Sequence, residues 1–271
     1  MTATTISPGT AAAVEPVRRT ARPIPTTRLV KVELRKMFNT RSGFWMLVSI
    51  GVLSVIATGA VIIFAPDEAV NYTNFATALG FPMSVILPMI AILSVTSEWS
   101  QRSGLTTFTL MPSRGRVIGA KAIATLLVGV VSMAVAFAIG ALGNVIGSNL
   151  AGVDTLWDVT LVEASQIVLG NVVGMAIGFT LGVVLRNSAA AIVGYFVVSL
   201  VLPGILALLA QVREWFADLQ PWIDWNYTQV NLFEGATDTG REWAMLGSTT
   251  AIWIVAPLVV GLWFLRHSEV K

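Results

Sequence analysis

The chain has 271 residues, of which 55% are hydrophobic and 12% are charged, and its formal net charge is +2. A soluble domain has about a quarter of its residues charged, so this composition excludes a soluble protein. The sequence contains no cysteine, which excludes disulfides and thiolate chemistry. It contains one histidine, so a metal site would need carboxylates gathered from several parts of the chain.

Six long apolar runs follow one another along the chain. Each has the ~20 residues that a helix needs to cross a hydrocarbon core of ~30 Å. The pattern predicts an all-α, polytopic membrane protein with six transmembrane helices. The predicted spans are residues 44–64, 75–96, 117–147, 160–185, 189–210 and 244–265.

The segments between the runs alternate in charge. The N-terminal tail, the segment after the second run together with Lys121 at the start of the third, the turn at Arg186 and the C-terminal tail hold 15 of the 17 Lys and Arg residues. The other three loops, together with Glu163 at the start of the fourth run, hold 11 of the 15 acidic residues. The positive-inside rule therefore predicts cytoplasmic N- and C-termini in the plasma (inner) membrane. We expect the basic residues to contact lipid head groups or a cytoplasmic partner, and no nucleic acid.

The N-terminal region divides into a tail and an amphipathic segment. Residues 1–25 are rich in Thr, Ala and Pro, without the apolar core of a signal peptide, and we expect a disordered cytoplasmic tail. Residues 27–41 predict a helix lying in the inner membrane interface, or a helical flank without that role. Its apolar face has Val30, Leu34, Met37 and Phe38, and its basic residues are Arg28, Lys31, Arg35 and Lys36.

Prolines and glycines mark several of the predicted spans. Pro82, Pro88 and Pro203 predict kinked helices, serving either motion or packing. A ladder of four glycines, spaced four residues apart, lies on one face of the fourth span. It lets another helix approach closely, inside one subunit or between subunits. The ladder consists of Gly170, Gly174, Gly178 and Gly182.

The outer segment, residues 211–243, is too polar to span the membrane and is rich in aromatic residues, including Trp215, Trp222 and Trp225. We expect short helices in the outer interface, with a break at Pro221.

Ionisable residues are scarce inside the predicted spans, and Glu163, near the outer end of the fourth, is the nearest case. Proton- and ion-coupled transporters usually need such residues as relays. No metal-dependent or nucleophilic motif indicates an intramembrane enzyme. Residues 115–121 read Gly-Arg-Val-Ile-Gly-Ala-Lys, which lacks the spacing of a P-loop. If ATP drives transport, the ATPase must be another chain.

The segment between the second and third spans, residues 97–116, is the strongest candidate for a partner site. Ser97 is a suitable N-cap and Glu98 suits a first helical turn, so we expect a short helix here. Pro112 and Gly115 would then turn the chain back to the membrane. An ordinary basic loop is the alternative.

Three motifs in this order carry a resemblance: Val-Glu-Leu-Arg-Lys at 32–36, Glu98-Trp99 at the end of the second span, and Pro112-x-Arg114-x-Arg116 with Lys121. With the six spans and the outer segment, they make the chain resemble the permease subunit of type-2 ABC transporters. The resemblance covers nearly all of the chain after residue 27.

The resemblance implies a permease domain over residues 26–271 that forms a homo- or heterodimer and is not itself an enzyme. The loop after the second span would be a coupling helix against a cytoplasmic ABC ATPase, which would bind ATP and magnesium, with no cofactor on this chain. An exporter is implied. The implied coupling residues are Glu98, Trp99, Gln101, Arg102, Arg114 and Arg116.

Two other classes stay open on the residues themselves. An energy-independent channel or a membrane scaffold would need no ATPase. A secondary transporter would have to build its ion site from backbone carbonyls, because the side chains are missing.

Overall fold

The structure is a computed structural model that describes residues 24–100 and 114–267. Within these ranges the regular structure is helical, which confirms the predicted all-α class. The α-helices are α1 (Thr26–Asn39), α2 (Arg41–Phe64), α3 (Tyr72–Ser100), α4 (Arg114–Ala151), α5 (Leu161–Leu185), α6 (Ser188–Phe196), α7 (Leu202–Val212), α8 (Glu214–Ile223), α9 (Trp225–Phe233), α10 (Gly240–Thr250) and α11 (Ala256–His267).

Six helical stretches in the described residues are long and apolar enough to cross a membrane, which confirms the predicted number. The first four are formed by α2, α3, α4 and α5. The fifth joins α6 to α7, and the sixth joins α10 to α11. The third is longer than predicted, because the helical hydrogen bonding of α4 continues through polar residues to Ala151.

The fifth and sixth spans share an irregularity. A π-turn, Val197–Val201, joins α6 to α7, and a second π-turn, Ala251–Val255, joins α10 to α11. Each is followed two residues later by a proline, Pro203 or Pro257. Proline has no N–H to donate to the preceding turn, and the altered hydrogen-bond pattern accompanies this loss.

Helices α3 and α5 form the centre of the bundle. In the most apolar 18-residue stretch of each helix, 56% of the residues are buried in α3 and 61% in α5. In the fifth span the corresponding share is 6%. Met83 and Leu87 of α3 share one core cluster with Phe179 and Val183 of α5. The fifth span therefore lies at the edge of this subunit.

The glycine ladder of α5 lies against helices of the same chain. A Cβ atom on Gly178 would lie 2.8 Å from the carbonyl oxygen of Pro88, and one on Gly182 would lie 3.3 Å from that of Ile92. Gly170 faces Phe233 of α9. The missing side chains let the α5 backbone approach α3 and α9 closely.

The outer segment contains α8 and α9, but its break differs from the prediction. Pro221 lies inside α8, and the chain breaks at Asp224. The Asp224 carboxylate accepts a hydrogen bond from the Asn226 backbone N–H at 3.0 Å and caps α9. A capping side chain with an extended backbone therefore sets the break, because a proline near a helix end removes only one hydrogen bond.

Glu163 has a structural role at the start of α5. Its carboxylate accepts a hydrogen bond from the Thr160 backbone N–H at 2.7 Å, and its own N–H donates to the Thr160 hydroxyl. This reciprocal capping box accounts for an acidic residue at the end of an apolar helix.

Candidate functional site

At one end of the bundle α1 packs against α2 and α4, where α3 ends and α4 begins. We call this the α1 end. Helix α3 continues through Ser100, so Ser97 does not cap a new helix as predicted, and residues 97–100 belong to the end of α3. Helix α3 continues past Ser97 because no glycine or proline interrupts its last turns. Helix α4 begins at Arg114, which leaves residues 101–113 between them.

The predicted coupling residues fall on or between these two helices. Glu98 and Trp99 lie in the last turn of α3 and Arg114 opens α4, while the positions of their side chains lie outside the described structure. Gln101 and Arg102 lie outside the described residues altogether. Arg116 is exposed.

The Arg116 guanidinium donates a hydrogen bond of 2.5 Å to the carbonyl oxygen of Ile24. It therefore ties the start of α4 to the segment that precedes α1. The structure thus places one predicted coupling residue in contact with the N-terminal region, and the ATPase contact itself stays a prediction.

The basic residues of α1 divide into two groups. Arg28, Lys31 and Arg35 are exposed. Lys36 donates a hydrogen bond of 2.8 Å to a carboxylate oxygen of Glu33, and 44% of its side chain is exposed.

The buried face of α1 differs from the predicted apolar face. Leu34 and Met37 pack against the core cluster, but Phe38 is 54% exposed. Glu33 is 8% exposed and lies on the buried face. Residues 30, 33, 34 and 37 share one side of the helix, so the face is turned toward α4, with Phe38 at its edge.

A buried ion pair joins α1 to α4. Lys121 donates a hydrogen bond of 2.6 Å from Nζ to Oε2 of Glu33 and is 2% exposed. It also donates one of 3.1 Å to the carbonyl oxygen of Ser94 in α3. Burial raises the pKa of Glu33, but Lys121 and Lys36 outweigh burial through charge and hydrogen bonds, so this pKa lies below its usual value.

This ion pair is not among the residues predicted from the sequence, although the position of each residue in its helix is a signal that could have indicated it. Glu33 falls among the apolar positions of an amphipathic helix, where a carboxylate needs a partner. Lys121 lies seven residues, or two turns, beyond Arg114 on a helix, and is thus inside the span instead of flanking it. That these two signals belong to one pair could not be read from the sequence.

Polar contacts continue from the ion pair into the bundle. The Thr125 hydroxyl donates a hydrogen bond of 3.0 Å to the hydroxyl of Ser94. Thr125 also lines a cavity of about 240 Å³, whose other lining residues include Met175, Phe179 and Leu258. A chain of charged and polar contacts thus extends from α1 to an apolar cavity among α4, α5 and α11.

Chemically, the α1 end offers charge pairing and helix-to-helix contact. Among the described residues, no group of three or more His, Asp or Glu side chains could hold a metal ion. The hydrogen bonds of Lys121 to Glu33 and to the Ser94 carbonyl connect three helices, α1, α3 and α4.

Comparison with known proteins gives a family match. No curated protein matches this chain. The family model described as ABC-2 family transporter protein matches residues 28–270, from within α1 to beyond the end of α11. This match confirms the resemblance drawn from the motifs, and the chain belongs to the ABC-2 transporter family, as a membrane-spanning permease.

Proposed function

We propose that this permease is the membrane subunit of an ATP-driven exporter and that a cytoplasmic ABC ATPase binds it at the α1 end. The observation that carries the proposal is the connection of α1, α3 and α4 by Glu33, Lys121 and Ser94 beside the segment between α3 and α4. A partner that displaces that segment would displace helices already tied to each other.

The energy source would lie on the partner. The sequence has no P-loop, so ATP and magnesium would bind to the ATPase subunit. Closure of the ATPase dimer on ATP would push on the segment that includes Glu98 and Arg102. The permease halves would then rock between inward-open and outward-open packings.

The proposed assembly contains a second permease, identical or related. The fifth span supports this, because its most apolar window is 6% buried within one subunit. A helix of this kind meets lipid or another subunit. In the proposed orientation, the α1 end and both termini face the cytoplasm, which the positive-inside rule supports from the distribution of Lys and Arg.

We propose an apolar or amphipathic substrate. The scarcity of ionisable residues in the spans supports this class, and so does the apolar cavity of about 240 Å³ beside Phe179 and Thr125. Export as the direction rests on the resemblance to type-2 exporters.

The test is purification of the tagged chain from native membranes in mild detergent, with identification of the proteins that accompany it. We expect a P-loop ATPase in stoichiometric amount. Its repeated absence from intact, folded protein would contradict the proposal and favour an energy-independent channel or a scaffold.

A charge-reversal experiment tests the coupling segment. The double variant Glu98→Lys/Arg102→Glu should lose coupled transport and transport-linked ATP hydrolysis, with membrane insertion unchanged. The matched control is Arg213→Glu/Glu214→Lys, because both residues are exposed where α7 ends and α8 begins, at the opposite end of the bundle. Transport at the original rate in the first variant would remove the coupling role.

A further inference from the structure

The fifth span is buried in its own subunit along one short face. The buried residues of α6 are Ala191 and Tyr195, and no residue of the π-turn Val197–Val201 or of α7 is buried. Ser188, Ala191 and Tyr195 are three and four residues apart along α6, so they lie on one side of the helix. Burial of the fifth span in the bundle is therefore confined to α6.

This side of α6 packs against α3. Ala191 and Tyr195 belong to a core cluster. The same cluster includes Met89 and Ile92 of α3. The Tyr195 hydroxyl also donates a hydrogen bond of 2.9 Å to the carbonyl oxygen of Ser84 in α3. We call this surface, between residues 84–96 and residues 188–195, the α3–α6 contact.

A hydrogen bond between two hydroxyl groups closes the α3–α6 contact at the α1 end of the bundle. The hydroxyl oxygens of Thr96 and Ser188 are 2.8 Å apart, and Thr96 is fully buried. The Thr96 hydroxyl donates its proton to the carbonyl oxygen of Ile92 at 2.9 Å. Ser188 therefore donates the proton of the bond between the two hydroxyls, since each hydroxyl has one proton to give. Removal of the Ser188 hydroxyl breaks this connection and leaves the bond of Thr96 within α3 in place.

Thr96 lies close to the segment that the proposed ATPase would displace. It is four residues, or about 6 Å, before the last residue of α3, and residues 101–113 follow that helix. The turn from α5 to α6 has two residues, Arg186 and Asn187, and the Asn187 side chain caps α6. The start of the fifth span is thus held both by the end of α3 and, through a short turn, by α5.

We propose that Thr96 and Ser188 are positioning residues that make the fifth span follow the end of α3. The inference rests on the proposed function, which supplies the displacement of residues 101–113. A push on that segment would move the last turns of α3, and the hydrogen bond between the two hydroxyls would transfer the movement to α6. Of the six spans the fifth has the smallest buried share, so its movement would change the surface that faces lipid or the second permease.

The test follows a single spin label on the fifth span. Leu200→Cys is in the π-turn, at a position that is 61% exposed, and carries the label in the full-length chain, reconstituted in liposomes with its ATPase. The spectrum with and without ATP and vanadate measures how far nucleotide shifts the label between two states. Val131→Cys, an equally exposed position of α4, is the reference, because Lys121 ties α4 to α3 without Thr96. The original chain has no cysteine, so its complex gives the background from the ATPase.

We expect Thr96→Val to reduce the nucleotide-induced shift of the equilibrium at position 200 about fivefold, the factor that one net hydrogen bond contributes to an equilibrium constant. Thr96→Ser keeps a hydroxyl and should retain the shift. Ser188→Ala should act like Thr96→Val, and the double variant should lose no more than either single variant, because both remove the same bond. The matched control is Ser199→Ala, because the Ser199 hydroxyl donates to the Tyr195 carbonyl oxygen within the fifth span. The response at position 131 should stay the same in all of them.

Two results would overturn the inference and leave the proposed function standing. One is an unchanged shift at position 200 in Thr96→Val with the ATPase bound. The other is an equal loss at positions 200 and 131, which would show a general weakening of the subunit. Failure of the proposed function itself would appear in the original chain, as no bound ATPase or no nucleotide response at either position. Thermal unfolding identifies a Thr96→Val chain that fails to fold, and the half-buried position of Ser188→Ala then decides.

Discussion

The carboxylate of Glu33 accepts a hydrogen bond of 2.6 Å from Lys121, a residue 88 positions further along the chain. The pair lies where α1 meets the first turns of α4 and is almost wholly buried. A buried ion pair contributes little net stability compared with apolar packing, but removal of one partner is costly. The pair therefore holds α1 in one position on the bundle.

We expect Glu33→Gln to lower the free energy of unfolding by about 3–5 kcal/mol, since Lys121 would stay buried without the carboxylate. The double variant Glu33→Gln/Lys121→Met should recover part of the loss, because it removes both charges. Unfolding in a denaturing-detergent titration, followed by tryptophan fluorescence, measures both. Losses that add, with no recovery in the double variant, would contradict an energetic coupling between the two residues.

The ion pair also predicts a pH dependence. The pKa of Glu33 is lowered from 4.5, so its contribution is present above that value and is lost as pH falls through the lower pKa of the folded chain. Stability should therefore fall less in Glu33→Gln than in the original chain when the buffer is acidified from pH ~7 to below that lower pKa. Thermal unfolding across this range measures the difference, and parallel curves would be evidence against the pair.

A tyrosine replaces a hydrogen bond that a proline removes. Pro88 has no N–H to donate to the Ser84 carbonyl oxygen one turn earlier, and the Tyr195 hydroxyl of α6 donates to that oxygen at 2.9 Å. We expect Tyr195→Phe to lower the free energy of unfolding by about 1 kcal/mol. Tyr227→Phe, at an exposed position, serves as the control. Indistinguishable effects of the two substitutions would show that the contact contributes nothing.

The glycine ladder predicts a steric effect at α5. Gly178→Ala places a methyl group 2.8 Å from a backbone oxygen of α3 and should destabilise the chain by about 1–3 kcal/mol. Gly59→Ala has nothing within 4 Å of the new atom and should be neutral or slightly stabilising. The same unfolding titration compares them. If alanine is tolerated equally at both positions, close packing against Pro88 is not limiting.

Single cysteines test the proposed orientation, because the chain has none of its own. Glu68 and Lys31 are both exposed, and Glu68 follows the end of α2 while Lys31 lies in α1, before its start. An impermeant maleimide added to whole cells should label Glu68→Cys, and should label Lys31→Cys only after the membrane is opened. The reverse pattern would invert the topology.

The sequence alone determined the class of this protein and the number of its spans. Hydrophobic length is a local property, since each apolar run must cross the membrane whatever its neighbours are. The order of the motifs near Glu98, Arg114 and Arg116 identified the family for a related reason, because short motifs and topology can be read along the chain. The break assigned to Pro221 was wrong, because the capping geometry at Asp224 determines where α8 ends.

Only the tertiary structure decided which apolar faces meet protein and which polar residues pair. Leu34 and Phe38 look alike in the sequence, yet the first is packed and the second is exposed. The hydrogen bond of Tyr195 to Ser84 spans 111 positions, and no local pattern records it. In a membrane, lipid and protein interior are equally apolar, so the hydrophobicity of a residue does not tell which of the two it contacts. Helix packing determines which face of each helix meets protein.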